Sequence, residues 1–384
     1  MIKTKRYKNS KKRNIGSIVM ILLSSLLLFT FYSSTVNVPE GASTEDVNAL
    51  KNALDNYFNM RYESRASLIP QDFKSLESNN PTNLTTMKWL EREKNRQDIE
   101  LYVASIYHLN YQSYKYELDY KKFQVKGNRA EINLDENHEV IFAACAPEVS
   151  KLYNHNHKIT MIKMGNNWTI VEDEYNDELS AVMKYVSKEE LIETARGNYE
   201  FELAHRTDQP QLEILSSAVY GYNRSAASSY ATTWCNKFNR LYINYSPNDC
   251  ANFVSQAIYE GTNRTMSIVN TSHYMDWWYF TGSPRGGSYP WVNVNGQKNF
   301  LTTNTGQGPY GSLVTSTCSL GAGDVVQLYN GSRWYHAVIL DAVSTCSDTT
   351  KIFFSGHTYA RCHYPLAFYA SITKRYIHIS GYRR

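Results

Sequence analysis

Ser246-Pro247-Asn248-Asp249-Cys250-Ala251-Asn252-Phe253-Val254-Ser255-Gln256-Ala257-Ile258-Tyr259-Glu260-Gly261 carries a start, a face and a stop for one helix. Pro247, Asn248 and Asp249 bring loop and N-cap chemistry. Phe253, Val254, Ala257 and Ile258 share one helical face, and Gly261 suits the left-handed position that ends a helix. Cys250 is therefore expected in the first turn of a buried helix. There, free N–H groups and the positive end of the helix dipole lower a thiol's pKa and favour the thiolate. The same N–H groups can stabilise an oxyanion. Most lone cysteines are merely small buried hydrophobes, so a catalytic reading requires a base.

The sequence supplies one downstream. Leu320-Gly321-Ala322-Gly323-Asp324 is turn-rich and leads into Val325 to Tyr329; Asn330-Gly331 reads as a type I′ hairpin turn, and Trp334 to Leu340 returns as the paired strand. His336 stands near the start of that apolar strand, where a base would face a helix-borne thiol. The next strand, Lys351 to Ser355, runs into Gly356-His357-Thr358, which makes His357 the natural residue to orient the His336 ring. Asp341 and Asp249 compete for that role, but Asp341 lies at the far end of the strand and Asp249 is accounted for as a cap. The expected catalytic set is Cys250, His336 and His357.

Between nucleophile and base lies an insertion rich in Ser, Gly and Asn that holds His273, Tyr274, Trp277, Trp278, Tyr279 and Trp291. Trp277, Trp278 and Trp291, together with Asp249, are the substrate-binding candidates. The competing reading has Trp277 and Trp278 closing a small satellite core beneath a long loop.

The chain has 384 residues, enough for two cores. Residues 1–43 read as a basic tip followed by a signal peptide or membrane anchor. Lys3, Lys5, Arg6, Lys8, Lys11, Lys12 and Arg13 precede an uncharged apolar run from Ile15 to Phe31. Residues 44–175 read as two helices followed by an antiparallel meander, an α+β unit of NTF2/cystatin-like kind. Its first helix carries Val47, Leu50, Leu54, Tyr57 and Phe58 on one face, and its strands are expected over 111–125, 130–144, 157–164 and 168–171. Gly127-Asn128 and Gly165-Asn166-Asn167 supply the turns. Residues 176–218 form a charged helical linker, and residues 219–384 the domain with the cysteine.

The net charge of +4 is dominated by the seven cations of the tip, so nothing argues for a nucleic-acid partner. Six cysteines occur without C-x-x-C pairs. Setting Cys250 aside leaves an odd number, and one disulfide is expected among Cys318, Cys346 and Cys362. His357, Cys362 and His363 are loosely spaced like metal ligands, and His155 with His157 makes an alternating pair. Four ligands at a recognised spacing are absent, so neither metal nor cofactor is expected.

Tyr222-Asn223-Arg224, Ala226, Ala227, Tyr230-Ala231, Trp234, the block from Asp249 to Gln256, Gly323-Asp324-Val325-Val326, His336-Ala337-Val338-Ile339 and His357-Thr358 occur in an order that resembles a bacterial amidase-domain family of the NlpC/P60 superfamily. The resemblance covers roughly Val219 to Tyr376. It implies a papain-like fold whose nucleophile falls on Cys250, base on His336 and polar third member on His357. Ala251 departs from the Thr usual there, and Cys235, Cys318, Cys346 and Cys362 add cysteines that such domains often lack.

The function expected is an extracellular cysteine amidase or peptidase acting through a thioester. Its substrate would be a peptide, by analogy peptidoglycan stem peptides. The protein would be secreted, or anchored at the bacterial cell surface through the N-terminal segment if uncleaved. The alternatives are a non-catalytic wall-binding protein and a thioester-forming acyltransferase of transglutaminase type.

Overall fold

A computed structural model describes residues 3–9, 43–73, 84–207, 220–267 and 275–384. The apolar run from Ile15 to Phe31 lies outside the described residues, as do His273 and Tyr274. Among the described residues no helix is long and apolar enough to cross a membrane. The architecture is mixed α+β, with eight α-helices and a mainly antiparallel sheet of eleven strands among the described residues.

In chain order the first elements are β1 (Lys3–Asn9), α1 (Thr44–Ser67) and α2 (Leu84–Tyr107). The meander follows as β2 (Tyr111–Lys126), β3 (Arg129–Phe142), β4 (Ser150–Met164) and β5 (Asn167–Tyr175). Ser43 caps α1 by accepting from the Asp46 N–H, and Val47, Leu50, Leu54, Tyr57 and Phe58 bury one face against the sheet. β4 begins earlier, and β5 ends later, than alternation of apolar residues suggests. Polar side chains such as His155, His157 and Asp173 are buried there, so the hydrophobic pattern is silent although the backbone is in the ladder.

The linker holds α3 (Glu178–Val182), capped by Asp177, and α4 (Lys188–Ala204), opened by a Ser187/Glu190 capping box. α5 (Arg224–Trp234) and α6 (Cys250–Gly261) come next. The short strands β6 (Tyr279–Phe280) and β7 (Gly286–Gly287), with α7 (Tyr289–Val292) and α8 (Val294–Thr303), make up the insertion. The last sheet comprises β8 (Gly308–Val314), β9 (Val325–Tyr329), β10 (Trp334–Val343), β11 (Ile352–Gly356), β12 (Arg361–Pro365) and β13 (Thr373–Arg383).

The β9–β10 connection departs from the type I′ expectation. It is a four-residue loop in which the Asn330 side-chain oxygen accepts from the N–H groups of Ser332 and Arg333, with Gly331 at φ 92°.

Strand order is β1-β2-β3-β4-β12-β11-β10-β9-β13-β8, with β5 on β4. Along one edge β4 is thus shared: β5 takes residues 157–164, while β12 takes Lys151 and Leu152. One hydrophobic core runs across this seam, from Leu54, Phe58 and Trp89 to Val338, Leu340, Phe354 and Tyr364. A second core, on the opposite face of the last sheet, packs α5 and α6 against Val325, Ala337, Ile339, Ile377 and Ile379. The two sequence-defined halves therefore share a sheet and a core.

β1 forms an antiparallel edge to β2, with Lys3 opposite Asp119. Residues that the signal reading takes as address are thus paired into the sheet.

Candidate active site

Cys250 opens α6 and is buried, as the start-face-stop pattern of its segment anticipates. The cap differs. Asp249 makes no side-chain cap; its Oδ1 accepts from the Tyr245 N–H and the Asn252 amide, each at 2.9 Å, and its Oδ2 lies 2.6 Å from His357 Nδ1. With Asp249 only 1% exposed and every oxygen committed, it serves the fold rather than a substrate.

His357 is committed as well. Its Nε2 donates to the Trp234 carbonyl at 2.8 Å, and its ring stacks on Phe253 with centroids 4.0 Å apart. Both ring nitrogens are thus engaged away from His336. Asp341 spends its carboxylate on Ser355 and on His363 Nδ1, the latter at 2.8 Å.

Burial decides the state of the nucleophile. Desolvation pushes the Cys250 thiol up, outweighing the N–H groups of Ala337 and Ala251 and the Thr358 hydroxyl, which favour the thiolate. The helix-start argument alone, which favours a thiolate, is corrected here by the low polarity around α6. Burial also holds His336 at about 4, although Glu178 pulls it the other way. At neutral pH the two groups are a thiol and a neutral imidazole.

The structure brings Cys250 to the backbone N–H of Ala337, the residue after His336. Among the described residues no hydrogen bond joins the thiol to the imidazole. Along β10, Ala337 and Ile339 belong to the α6 core, while Val338 and Leu340 belong to the other. Alternation therefore groups His336 with the face that meets α3.

That face holds a residue the sequence reading missed. Glu178 is 1% exposed, receives two hydrogen bonds from Arg361 and one from Tyr369, and is the anion acting on His336. It stands at the start of α3, in what reads as a charged linker, and only tertiary folding reveals its neighbour.

Thr358 is a second omission. Its buried hydroxyl has no hydrogen-bond partner meeting ordinary geometry, yet it lies close enough to influence the thiol. Its φ is 71°, a strained backbone for a β-branched residue.

The tryptophans expected to line a groove go elsewhere. Trp277 and Trp291 are fully buried, with ring centroids 4.5 Å apart. Their indole N–H groups donate to Ser255 Oγ and Asn252 Oδ1. They pack the insertion onto α6, with Trp291 rather than Trp278 joining Trp277 in a satellite core. Trp278 is half-buried, and its backbone N–H donates to Ser288 Oγ.

Two disulfides form, Cys235–Cys362 and Cys318–Cys346, leaving Cys145 and Cys250 as free thiols. Cys362 thus pairs with Cys235, far outside the cluster in which one bond was expected. Burial pushes the Cys145 thiol up to about 12, so Cys250 has no reactive rival.

Residues 221–380 match the model of the family described as "Putative amidase domain". The match supports an amidase-like family. It takes in α5 through most of β13, with Cys250, His336, His357 and Thr358 inside it and Glu178 outside. The chain is 31% identical over 126 residues to "Uncharacterized protein YhbB" of Bacillus subtilis (strain 168), covering 32% of this chain and 38% of that protein. It is 37% identical over 75 residues to "Uncharacterized protein YjcM" of the same organism, covering 20% of this chain and 18% of that one. The chain therefore spans well under half the length of these curated relatives. No solved structure matches.

Proposed function

We propose that the amidase-like half is a cysteine-dependent amide hydrolase with Cys250 as nucleophile and His336 as base. The observation that carries it is the setting of Cys250. A thiol in the first turn of α6 lies by the N–H of the residue following a neutral imidazole, beside an unpartnered hydroxyl on strained backbone.

In the reaction, neutral His336, its ring turned from the Glu178 side of β10 toward the thiol, takes the Cys250 proton as the sulfur attacks the amide carbon, and the carbonyl electron pair moves onto oxygen. The N–H groups of the first turn and Thr358 Oγ1 are the donors available to that oxygen. The oxyanion collapses, the C–N bond breaks, and His336 gives its proton to the departing amine. Water then attacks the thioester, losing its proton to His336; the carboxylic acid leaves and the proton returns to sulfur.

A papain-like fold of NlpC/P60 type is part of this proposal, supported by the helix-borne cysteine facing an antiparallel sheet. The proposed substrate is a peptide, with cell-wall stem peptides first by analogy. Export is proposed on the basic tip, the apolar run after it and the two disulfides, which persist in oxidising compartments. In an exported form, β1 would be released and β2 would become the free edge.

The test is mass spectrometry of the full-length chain after incubation with stem peptides and a panel of peptide amides. A cleaved product, with an acyl adduct on Cys250 that is lost in Cys250→Ala, supports the reading. Product formation undiminished in Cys250→Ala overturns it, as does the absence of both cleavage and adduct across the panel. Aminolysis products formed with added amines in preference to hydrolysis would mark an acyltransferase instead.

A further inference from the structure

We propose that Glu136, His155 and His157 form a site for one divalent transition-metal ion of zinc type, between the β3–β4 ladder and α1. The register builds it. Glu136 on β3 sits opposite His155 on β4, and His157 follows two residues later on the same face. Glu136 is 5% exposed, His155 8% and His157 0%, so the three converge in the interior.

Glu136 Oε2 is 3.2 Å from His155 Nδ1 and 3.2 Å from His157 Nε2. One ligand atom from each residue falls in a set whose members all lie within 4.8 Å of one another. Atoms bound about 2.0 to 2.1 Å from a tetrahedral zinc stand about 3.4 Å apart. The three side chains can close on an ion with small adjustments.

The surrounding groups are those a metal site requires. His157 Nδ1 faces the Asp173 carboxylate at 2.9 and 3.0 Å, which fixes the ring and leaves Nε2 as the ligand. Tyr62 donates to Glu136 Oε1, leaving Oε2 for the ion. His155 offers Nδ1 as its ligand atom, and its buried Nε2 has no hydrogen-bond partner with or without the ion.

Glu136, His138 and His155 line a cavity of about 60 Å3, enough for a water on a fourth coordination position. Arginines also line it, but Arg65 pairs with Glu100, Arg96 with Asp177 and Arg361 with Glu178, and Arg61 lies 3.5 Å from Asp173. Each has a carboxylate close by, while Arg61 also acts on Glu136 and Arg361 on His138.

This site is independent of the hydrolase reading. Glu136, His155 and His157 lie in the N-terminal unit, and among the described residues no hydrogen bond or ion pair joins them to Cys250. The competing arrangement puts a proton on His157, between the two carboxylates, where the ion would be.

The test uses the full-length, untagged chain in detergent, stripped with a chelator and titrated with Co2+ and Zn2+. One equivalent bound, with a tetrahedral Co2+ absorption that Zn2+ displaces and a Tm that rises on loading, is expected. Asp173→Asn should weaken binding roughly 10- to 100-fold. Glu136→Gln and His155→Gln should abolish the stoichiometric site, while His363→Gln retains it. Substoichiometric binding by the stripped wild type, or wild-type binding in both ligand variants, overturns the proposal. Should the ligand variants not fold, zinc-edge X-ray absorption of the loaded wild type decides: two imidazoles in the shell support the site, and fewer overturn it.

Discussion

Arg361 holds Glu178 with two parallel hydrogen bonds, Nε to Oε1 and Nη2 to Oε2, each 2.7 Å long. Both side chains are buried, and they join the linker to β12. Removing one member of such a pair strands the other charge away from water, at a cost of about 3 to 5 kcal/mol. Glu178→Gln should lower the free energy of urea unfolding by that order. An unchanged denaturation midpoint would show the pair to be irrelevant to stability.

Cys250 should alkylate slowly at pH 7. Because burial raises the thiol, labelling should still be climbing above about pH 8.5, where a free thiol is half ionised. Cys250→Ala should leave the native chain unlabelled, given the buried Cys145. A rate that levels off below pH 7 would mean that the first-turn N–H groups outweigh desolvation.

His336 predicts a pH dependence of stability. Its pKa is depressed in the fold, to about 4, so between pH 6.5 and 4 the unfolded chain binds a proton that the native chain does not. Its contribution is constant above pH 6.5 and destabilises progressively as pH falls to 4, by roughly 3 kcal/mol at the limit. Urea titrations of wild type and His336→Gln across this range should diverge by that slope. Parallel curves would refute the buried neutral imidazole.

Thr358→Val keeps the shape and deletes a buried hydroxyl that lacks a good partner. Stability should hold or rise, since an unsatisfied polar group is removed. On a substrate found as above, kcat should fall roughly 100-fold with KM little changed, as for loss of an oxyanion donor. Unchanged kcat would assign the strained φ to the loop alone.

Cys235 and Cys362 are 127 residues apart in sequence. Closing so long a loop restricts the unfolded chain by about 4 to 5 kcal/mol in the chain-entropy description. The double variant Cys235→Ser, Cys362→Ser should lose stability of that order, measured by denaturant titration in parallel with wild type.

What the sequence made legible was local. The α6 segment shows its start, face and stop within sixteen residues, and Gly127 marks the β2–β3 turn at φ 59°. Those signals depend on neighbours in the chain. The partners of Asp249 and His357 do not: a carboxylate before a helix looks like a cap until a ring 108 residues away takes its oxygen. Glu178 is likewise a linker residue by composition and a buried anion by topology. His155 and His157 interrupt the apolar alternation of β4, so a strand with a polar interior reads as a shorter one. The pairing of β4 with β12 rests on two residue pairs, which leave no trace in periodicity.

That pairing changes what counts as a separable piece. The family match begins at residue 221, after the whole of β4. A fragment cut there would present the backbone of β12 as a raw sheet edge, and Val338, Leu340, Phe354 and Tyr364 would lose the residues packed on them. Such a fragment should stick to its own copies before it shows any chemistry.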